Sequence, residues 1–365
     1  MLKSSYEQAG VNYDILDTAK REALKLAKET VSYPGYLGAK IDESSFGESA
    51  TLIEVGGQKL AFVLECLGTK SLIAAKYFEM TGEDRFADIA YDAVAAIVND
   101  LICLGALPMV INAYFATGSS DFYLKPYAPS IARGWQIACK DAKASWGGGE
   151  SPTLAGLIDK DAVELAGSAI GIIPDKCQVL SGDKIEVGDE IVMISSSGMH
   201  TNGASLARQI ADKLPDSYAT LLPSGKSFGS AVLDKSFIYV DTVADLMMQG
   251  DILHYASHIT GHGIRKIMRA ERDLTYHLHS LPPIPEVLQF MVDQTGMSVR
   301  ESYSTLNMGA GFALYVKEGT GARVVEAARS HGQEAIVVGK TEKGPKRLVI
   351  DPISVTYGES DLLLR

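Results

Sequence analysis

The sequence predicts a two-domain chain of mixed α/β (α+β) class. Three observations carry this reading. The 365 residues are enough for two hydrophobic cores. Strand-like and helix-like segments alternate along the chain. A turn-rich, charged stretch, "PDKCQVLSGDKIEVGDE" from Pro174, separates two apolar strands. The division falls at residues 1–175 and 176–365.

In order, "DTAKREALKLAKET" from Asp17 has helical spacing behind a capping aspartate. "KLAFVLE" (Lys59 to Glu65) is short, apolar and strand-like. "SLIAAKYFEM" reads as a helix that stops at Thr81-Gly82. "DRFADIAYDAVAAIVNDLICLGA" is a long helix, apolar nearly all round and therefore buried. "MVINAYFATG" is a strand running to a turn at Gly118. "PYAPSIARGWQIACKDAKA" is a second long helix with Pro126 near its start. "VELAGSAIGII" is a further strand. In the second half, "EIVMISSSG" is a strand that ends in small polar residues. Helices follow Asn202 and span about Ser236 to Met248. Strands "GFALYV", "AIVVGK" and "RLVID" surround the helix "GARVVEAARSHG".

The formal net charge of -11 argues against a nucleic-acid partner, which wants clustered Lys and Arg. It leaves room for a phosphorylated small molecule, which needs only a few local cations and backbone amides. No apolar run reaches the length of a bilayer span. The first residues, "MLKSSYEQAG", contain no signal-peptide core, so a cytoplasmic protein is expected. The four cysteines form no C-x-x-C pair and read as reduced thiols.

Several stretches could carry chemistry. On the long helix, Asp92 and Asn99 fall about 20° apart and Asp100 about 80° from Asp92. A buried carboxylate costs several kcal/mol, by order of magnitude, unless it is paired or binds a cation. "VLECLGTK" ends an apolar run at Glu65 and turns through Gly68-Thr69-Lys70. That is either a strand end with a helix start or a phosphate and metal site. "WGGGESPTLAG" is either a phosphate-cradling loop or a plain glycine turn. "ESSFGESA", around Gly47, is either a flap or a loop. "SSSGMHTNG" sets hydroxyls and amides before a helix and is a natural anion-binding turn. Within it, His200 is either a proton shuttle or a locally bonded ring. "HITGHG" sets His258 and His262 around glycines, which argues against a helical zinc pair. Neither a G-x-S-x-G elbow nor a Walker A loop occurs.

Taken together and in order, these stretches resemble the aminoimidazole ribonucleotide (AIR) synthetase family, the phosphoribosylformylglycinamidine cyclo-ligases. The resemblance runs from "SYEQAGVNYD" to "VVGK" and "RLVI". The family's D-G-V-G-T-K is similar to Glu65 through Lys70. Its V-N-D-L matches Val98-Asn99-Asp100-Leu101, with Asp92 at its upstream aspartate. G-G-E-T-A-E-M-P-G aligns on Gly148 to Gly156, S-S-G-P-H-S-N-G on Ser196 to Gly203, H-x-T-G-G-G on His258 to Gly263, and F-N-C-G-V-G on Leu306 to Gly311.

The resemblance implies an N-terminal domain that binds ATP and forms a homodimer, and a C-terminal domain that binds a phosphorylated small substrate. It implies that Glu65, Asp92 and Asp100 hold Mg²⁺. It also implies that Gly68, Thr69, Lys70, Asn99, Asp100, Gly148, Gly149 and Glu150 bind ATP, and that Lys70, His258 and His200 act in catalysis. The implied reaction closes the ring of formylglycinamidine ribonucleotide by phosphorylating its formyl oxygen. This chain departs from the family at Glu65 (for Asp), Thr153 (for Glu), Phe237 (for Arg) and His262 (for Gly). Two other readings stand beside it: a paralogue using ATP on another small substrate, and a nucleotide-binding protein without catalysis.

Overall fold

A computed structural model describes residues 13–363. The part of the N-terminal motif at 5–12 lies outside them. The first half holds α1 (Tyr13–Lys28), β1 (Ala39–Ile41), β2 (Thr51–Val55), β3 (Gln58–Cys66), α2 (Lys70–Thr81), α3 (Phe86–Ile102), β4 (Leu107–Thr117), α4 (Ala128–Asp141), β5 (Ser145–Glu150) and β6 (Val163–Ile173). Its six-stranded sheet has the order β1-β2-β3-β6-β4-β5, antiparallel except for the β4–β5 pair. The β2–β3 hairpin turns on Gly56-Gly57, both at positive φ, the two-residue turn that only such residues make easily. α2 ends where Gly82 adopts φ 73 and returns its N–H to Phe78 O, a glycine stop written in the sequence.

One face of this sheet carries α3, which packs on β3 and β6 and against α4. On the other face Phe62 (45% exposed) and Leu64 (68% exposed) project outward. They sit beside Ile170 and Ser168 of the neighbouring strand.

The second half holds β7 (Glu190–Ser195), α5 (Ala204–Lys213), α6 (Phe228–Val232), α7 (Val240–Met248), β8 (Leu253–His258), β9 (Leu274–Leu278), α8 (Glu286–Thr295), α9 (Val299–Thr305), β10 (Ala310–Val316), α10 (Gly321–Ser330), β11 (Ala335–Lys343), β12 (Arg347–Ile350) and β13 (Val355–Gly358). Its seven-stranded sheet has the order β13-β12-β9-β11-β7-β10-β8. β8 and β10 are buried along their whole length. The other side of α3 reaches β8 and α7, so this one helix is shared by both halves and explains its apolar circumference. Among the described residues no helix is long and apolar enough to cross a membrane.

Three expectations change. "WGGGE" is an edge strand, not a turn, and runs so close to β4 that a Cβ on Gly149 would lie 2.0 Å from Ala113 O. The helix expected from Ser236 starts only at Val240, because the preceding residues are docked on α3. "HITGHG" is a strand end and a turn into a 3₁₀ helix, Gly263–Met268.

Candidate functional site

α3 buries three polar residues, Asp92, Asn99 and Asp100, and uses them in two ways. The helical spacing puts Asp92 and Asn99 on one stripe, and that stripe grips the segment before α7. Asp92 Oδ1 accepts the Ser236 N–H at 2.6 Å. Asn99 Oδ1 accepts the Tyr239 N–H at 3.0 Å, and its Nδ2 donates to Phe237 O at 2.8 Å. The other Asp92 oxygen, Oδ2, pairs with Lys70 Nζ at 2.5 Å, with both side chains fully buried. Lys70 also donates to His200 O at 2.7 Å and to Asp234 O at 3.4 Å. The stripe joins the two halves of the chain.

Asp100 turns elsewhere, into a cleft of about 250 Å³ between the halves. Its walls include Glu65, Cys66, Gly68, Ala96, Thr201, Asn202, His258 and Thr260. Asp100 Oδ1 accepts a hydrogen bond from His258 Nδ1 at 2.7 Å across 158 positions of sequence. That contact fixes the tautomer and leaves Nε2 as the ring's acceptor. Burial holds His258 below the ordinary histidine range, with Asp100 pulling the other way, so the ring is a neutral base. Burial works against ionised Asp100, but the His258 hydrogen bond and the charges of Lys266 and Arg269 outweigh it and hold the carboxyl at about 2. Burial and the neighbouring Asp100 push Glu65 up to about 7. Two close carboxylates cannot both ionise cheaply without a cation.

Two cations that the sequence reading missed lie behind this pair. Lys266 and Arg269 are three residues apart around the 3₁₀ turn, and residues at that spacing eclipse. Arg269 donates to Gly47 O at 2.9 Å and to Ser49 Oγ at 2.5 Å, and lies 3.7 Å from Glu48. Glu48 Oε2 in turn accepts the Tyr255 hydroxyl at 2.8 Å. The loop around Gly47 is therefore tied down on the second half. Lys266 donates to Thr260 Oγ1. Burial lowers its pKa, against the pull of Asp100 and Glu65.

Other expected residues lie away from the cleft. Lys70, Asp92 and Asn99 form the joining stripe. Among the described residues no group of three or more His, Cys, Asp or Glu side chains could hold a metal ion, so Glu65, Asp92 and Asp100 are not one ligand set. Two of the three, Glu65 and Asp100, do meet. Their oxygen donors suit Mg²⁺, which takes one or two carboxylates and completes its shell with phosphates and water.

His200 is buried at φ 58, and its Nε2 accepts the Ser197 N–H at 3.1 Å. Burial and the charges of His258 and Lys70 keep it far below the ordinary range, so it is a neutral structural ring and no proton shuttle. Gly148, Gly149 and Glu150 are exposed on the edge strand. Thr69 touches Ser205 Oγ at 3.3 Å, and Gly68, at φ 68, gives its N–H to Glu164 at 3.0 Å. In the expected anion turn, the Ser196 and Ser197 hydroxyls donate to Asn307 Oδ1 and Lys235 O. Only Thr201 and Asn202 of that turn line the cleft.

His262 replaces a glycine and still adopts φ 69. Its Nε2 lies 3.5 Å from Asp17 Oδ1. Burial, then the charges of Arg265 and Lys266, bring its pKa down to about 3. The folded value is below the unfolded one, so the unfolded chain takes up the proton first. Stability present above about pH 6.5 is therefore lost as pH falls toward the folded value. His262→Asn, which tolerates this backbone, is expected to flatten the fall in Tm between pH 7 and pH 5. Parallel falls in both proteins would assign the acid sensitivity elsewhere.

Two family models match the chain: AIR synthase related protein, N-terminal domain, over residues 47–173, and its C-terminal domain over residues 186–351. A phosphoribosylformylglycinamidine cyclo-ligase of Alkaliphilus metalliredigens is 32% identical over 360 residues, covering 96% of this chain and 99% of the relative. That of Bacillus subtilis is 32% identical over 355 residues, covering 94% and 97%. The fold is similar to that of a HypE–HypF complex chain (TM-score 0.61, 18% identity, 86% of this chain and 92% of that one). It is also similar to AaThiL complexed with AMPPCP and TMP (TM-score 0.57, 16% identity, 90% and 96%).

Proposed function

The chain belongs to the AIR synthase related family and is an enzyme of the ligase kind, and from that premise we propose that it is an ATP-dependent cyclo-ligase of purine biosynthesis. It converts formylglycinamidine ribonucleotide to aminoimidazole ribonucleotide and releases ADP and phosphate. The observation that carries the reading is the Asp100–His258 hydrogen bond on the wall of the interdomain cleft. Ring closure requires a proton to leave the attacking nitrogen, and a neutral imidazole oriented by a carboxylate is suited to take it. Glu65 and Asp100 would hold Mg²⁺, which when bound supplies charge neutralisation for the transferred phosphoryl group.

At about 250 Å³ the cleft is smaller than most ligand pockets, which run to roughly 300–1,000 Å³. A nucleotide would therefore extend out of it. Gly148, Gly149 and Glu150, on the exposed edge strand, would meet ATP only where a second subunit completes the site. The outward Phe62 and Leu64 support a homodimer through this sheet face. Leu64→Asp is expected to convert the dimer to monomer, read by light scattering. A monomeric parent protein at micromolar concentration would rule out the shared site. A cytoplasmic location goes with this role.

The test is ADP release with and without formylglycinamidine ribonucleotide. Turnover only with that substrate supports the reading, and none with it overturns the substrate assignment. A second reading, ATP-dependent action on another small phosphorylated substrate, is favoured by Phe237. It stands where the resemblance expects an arginine, the side chain best suited to gripping phosphate.

A further inference from the structure

Lys266 is 7% exposed, and its ammonium has one side-chain partner, Thr260 Oγ1. Among the described residues no carboxylate lies within 4 Å of it. A buried ammonium in that state is costly, since burial removes its water and nothing pairs with it directly. What compensates it is the longer-range field of the two cleft carboxylates, Asp100 first and then Glu65. Arg269, its neighbour on the 3₁₀ turn, is engaged by the loop around Gly47. Lys266 is therefore the cation whose charge is left to act on the cleft. The Thr260 it holds is itself a cleft wall residue.

We propose that Lys266 is a positioning residue that sets the metal affinity of the Glu65–Asp100 pair by supplying part of the positive charge those carboxylates require. This rests on the reading of the cleft as a two-carboxylate Mg²⁺ site. A fixed ammonium close to the carboxylates repels an incoming divalent ion and keeps the metal-free cleft stable. It also holds the site in a weak, exchangeable binding range. Residues 65, 100 and 266 come from three separate stretches, so only the folded chain assembles this balance.

The experiment titrates Mg²⁺ by calorimetry into the full-length protein at pH 8, with a non-hydrolysable ATP analogue present. Lys266→Met is expected to tighten Mg²⁺ binding by about tenfold or more, since a unit charge near a divalent ion is worth several kcal/mol at an effective dielectric of about 20. Lys266→Gln keeps a donor for Thr260 but removes the charge, and is expected to tighten binding similarly. Lys266→Arg is expected to behave as the parent. Parent binding that fails to tighten in the Met and Gln variants, both folded by circular dichroism, overturns the role of Lys266. So does tightening in the Met variant alone, which would implicate the Thr260 contact. A parent protein that binds no Mg²⁺ at all overturns the metal reading of the cleft, and the proposal with it.

Discussion

Lys70→Met is expected to destabilise the protein by about 3–5 kcal/mol, the usual loss when one member of a buried ion pair is removed. The variant leaves Asp92 as an uncompensated carboxylate between the two halves, with only the Ser236 N–H as partner. The carbonyl oxygens of His200 and Asp234 lose their donor as well. At the sensitivity typical of larger domains this corresponds to a fall in Tm of roughly 6–20 °C. Adding Asp92→Asn removes the stranded charge and should restore part of the loss. A Tm within a few degrees of the parent would mean that Lys70 is not held at Asp92. It would then be free for the phosphate role that the motif implies.

His258→Ala is expected to lower substrate-dependent turnover by about 10²–10⁴-fold, the usual worth of a positioned general base. Affinity for an ATP analogue without metal should stay nearly unchanged, because the imidazole belongs to the substrate side of the reaction. Asp100→Asn should lower turnover comparably, since the carboxylate that orients and supports the ring is gone. Unlike His258→Ala, it should also weaken magnesium-dependent nucleotide binding. If His258→Ala retains turnover, the ring is structural and the base must be sought elsewhere. If Asp100→Asn keeps its magnesium dependence, Asp100 serves the histidine alone.

The polar positions of α3 are legible in the amino-acid sequence. An apolar flank on every side leaves Asp92, Asn99 and Asp100 no solvated face, and all three are buried. Their partners are not legible. Asp92 and Asn99 bind backbone N–H and C=O groups of residues 236–239, and a backbone partner leaves no residue pattern to read. Motif alignment also groups Lys70 and Asn99 with the nucleotide. It reports neighbours in sequence and cannot see that a helix 22 residues downstream supplies the counter-ion of Lys70. β8, "LHYASH", hides from a hydropathy pattern because two histidines and a serine break its apolar run. Each is nevertheless matched inside: His254 by Asp189, Ser257 by Lys266 O and His258 by Asp100. The Gly56-Gly57 hairpin carries a readable signal, two glycines between apolar runs, that the sequence reading does not use. Lys266 carries none, since its meaning depends on two carboxylates more than 160 positions away.

The docking of residues 236–239 on α3 has an evolutionary consequence. Because Asp92 and Asn99 hold main-chain atoms, the interface does not inspect the side chains of the strip it holds. Position 237 can exchange an arginine for a phenylalanine without disturbing how the halves are assembled. A lineage can therefore revise what this strip offers a ligand while inheriting the scaffold unchanged. Substrate preference and architecture become separately mutable traits, and libraries randomised at positions 235, 237 and 238 should yield mostly folded proteins.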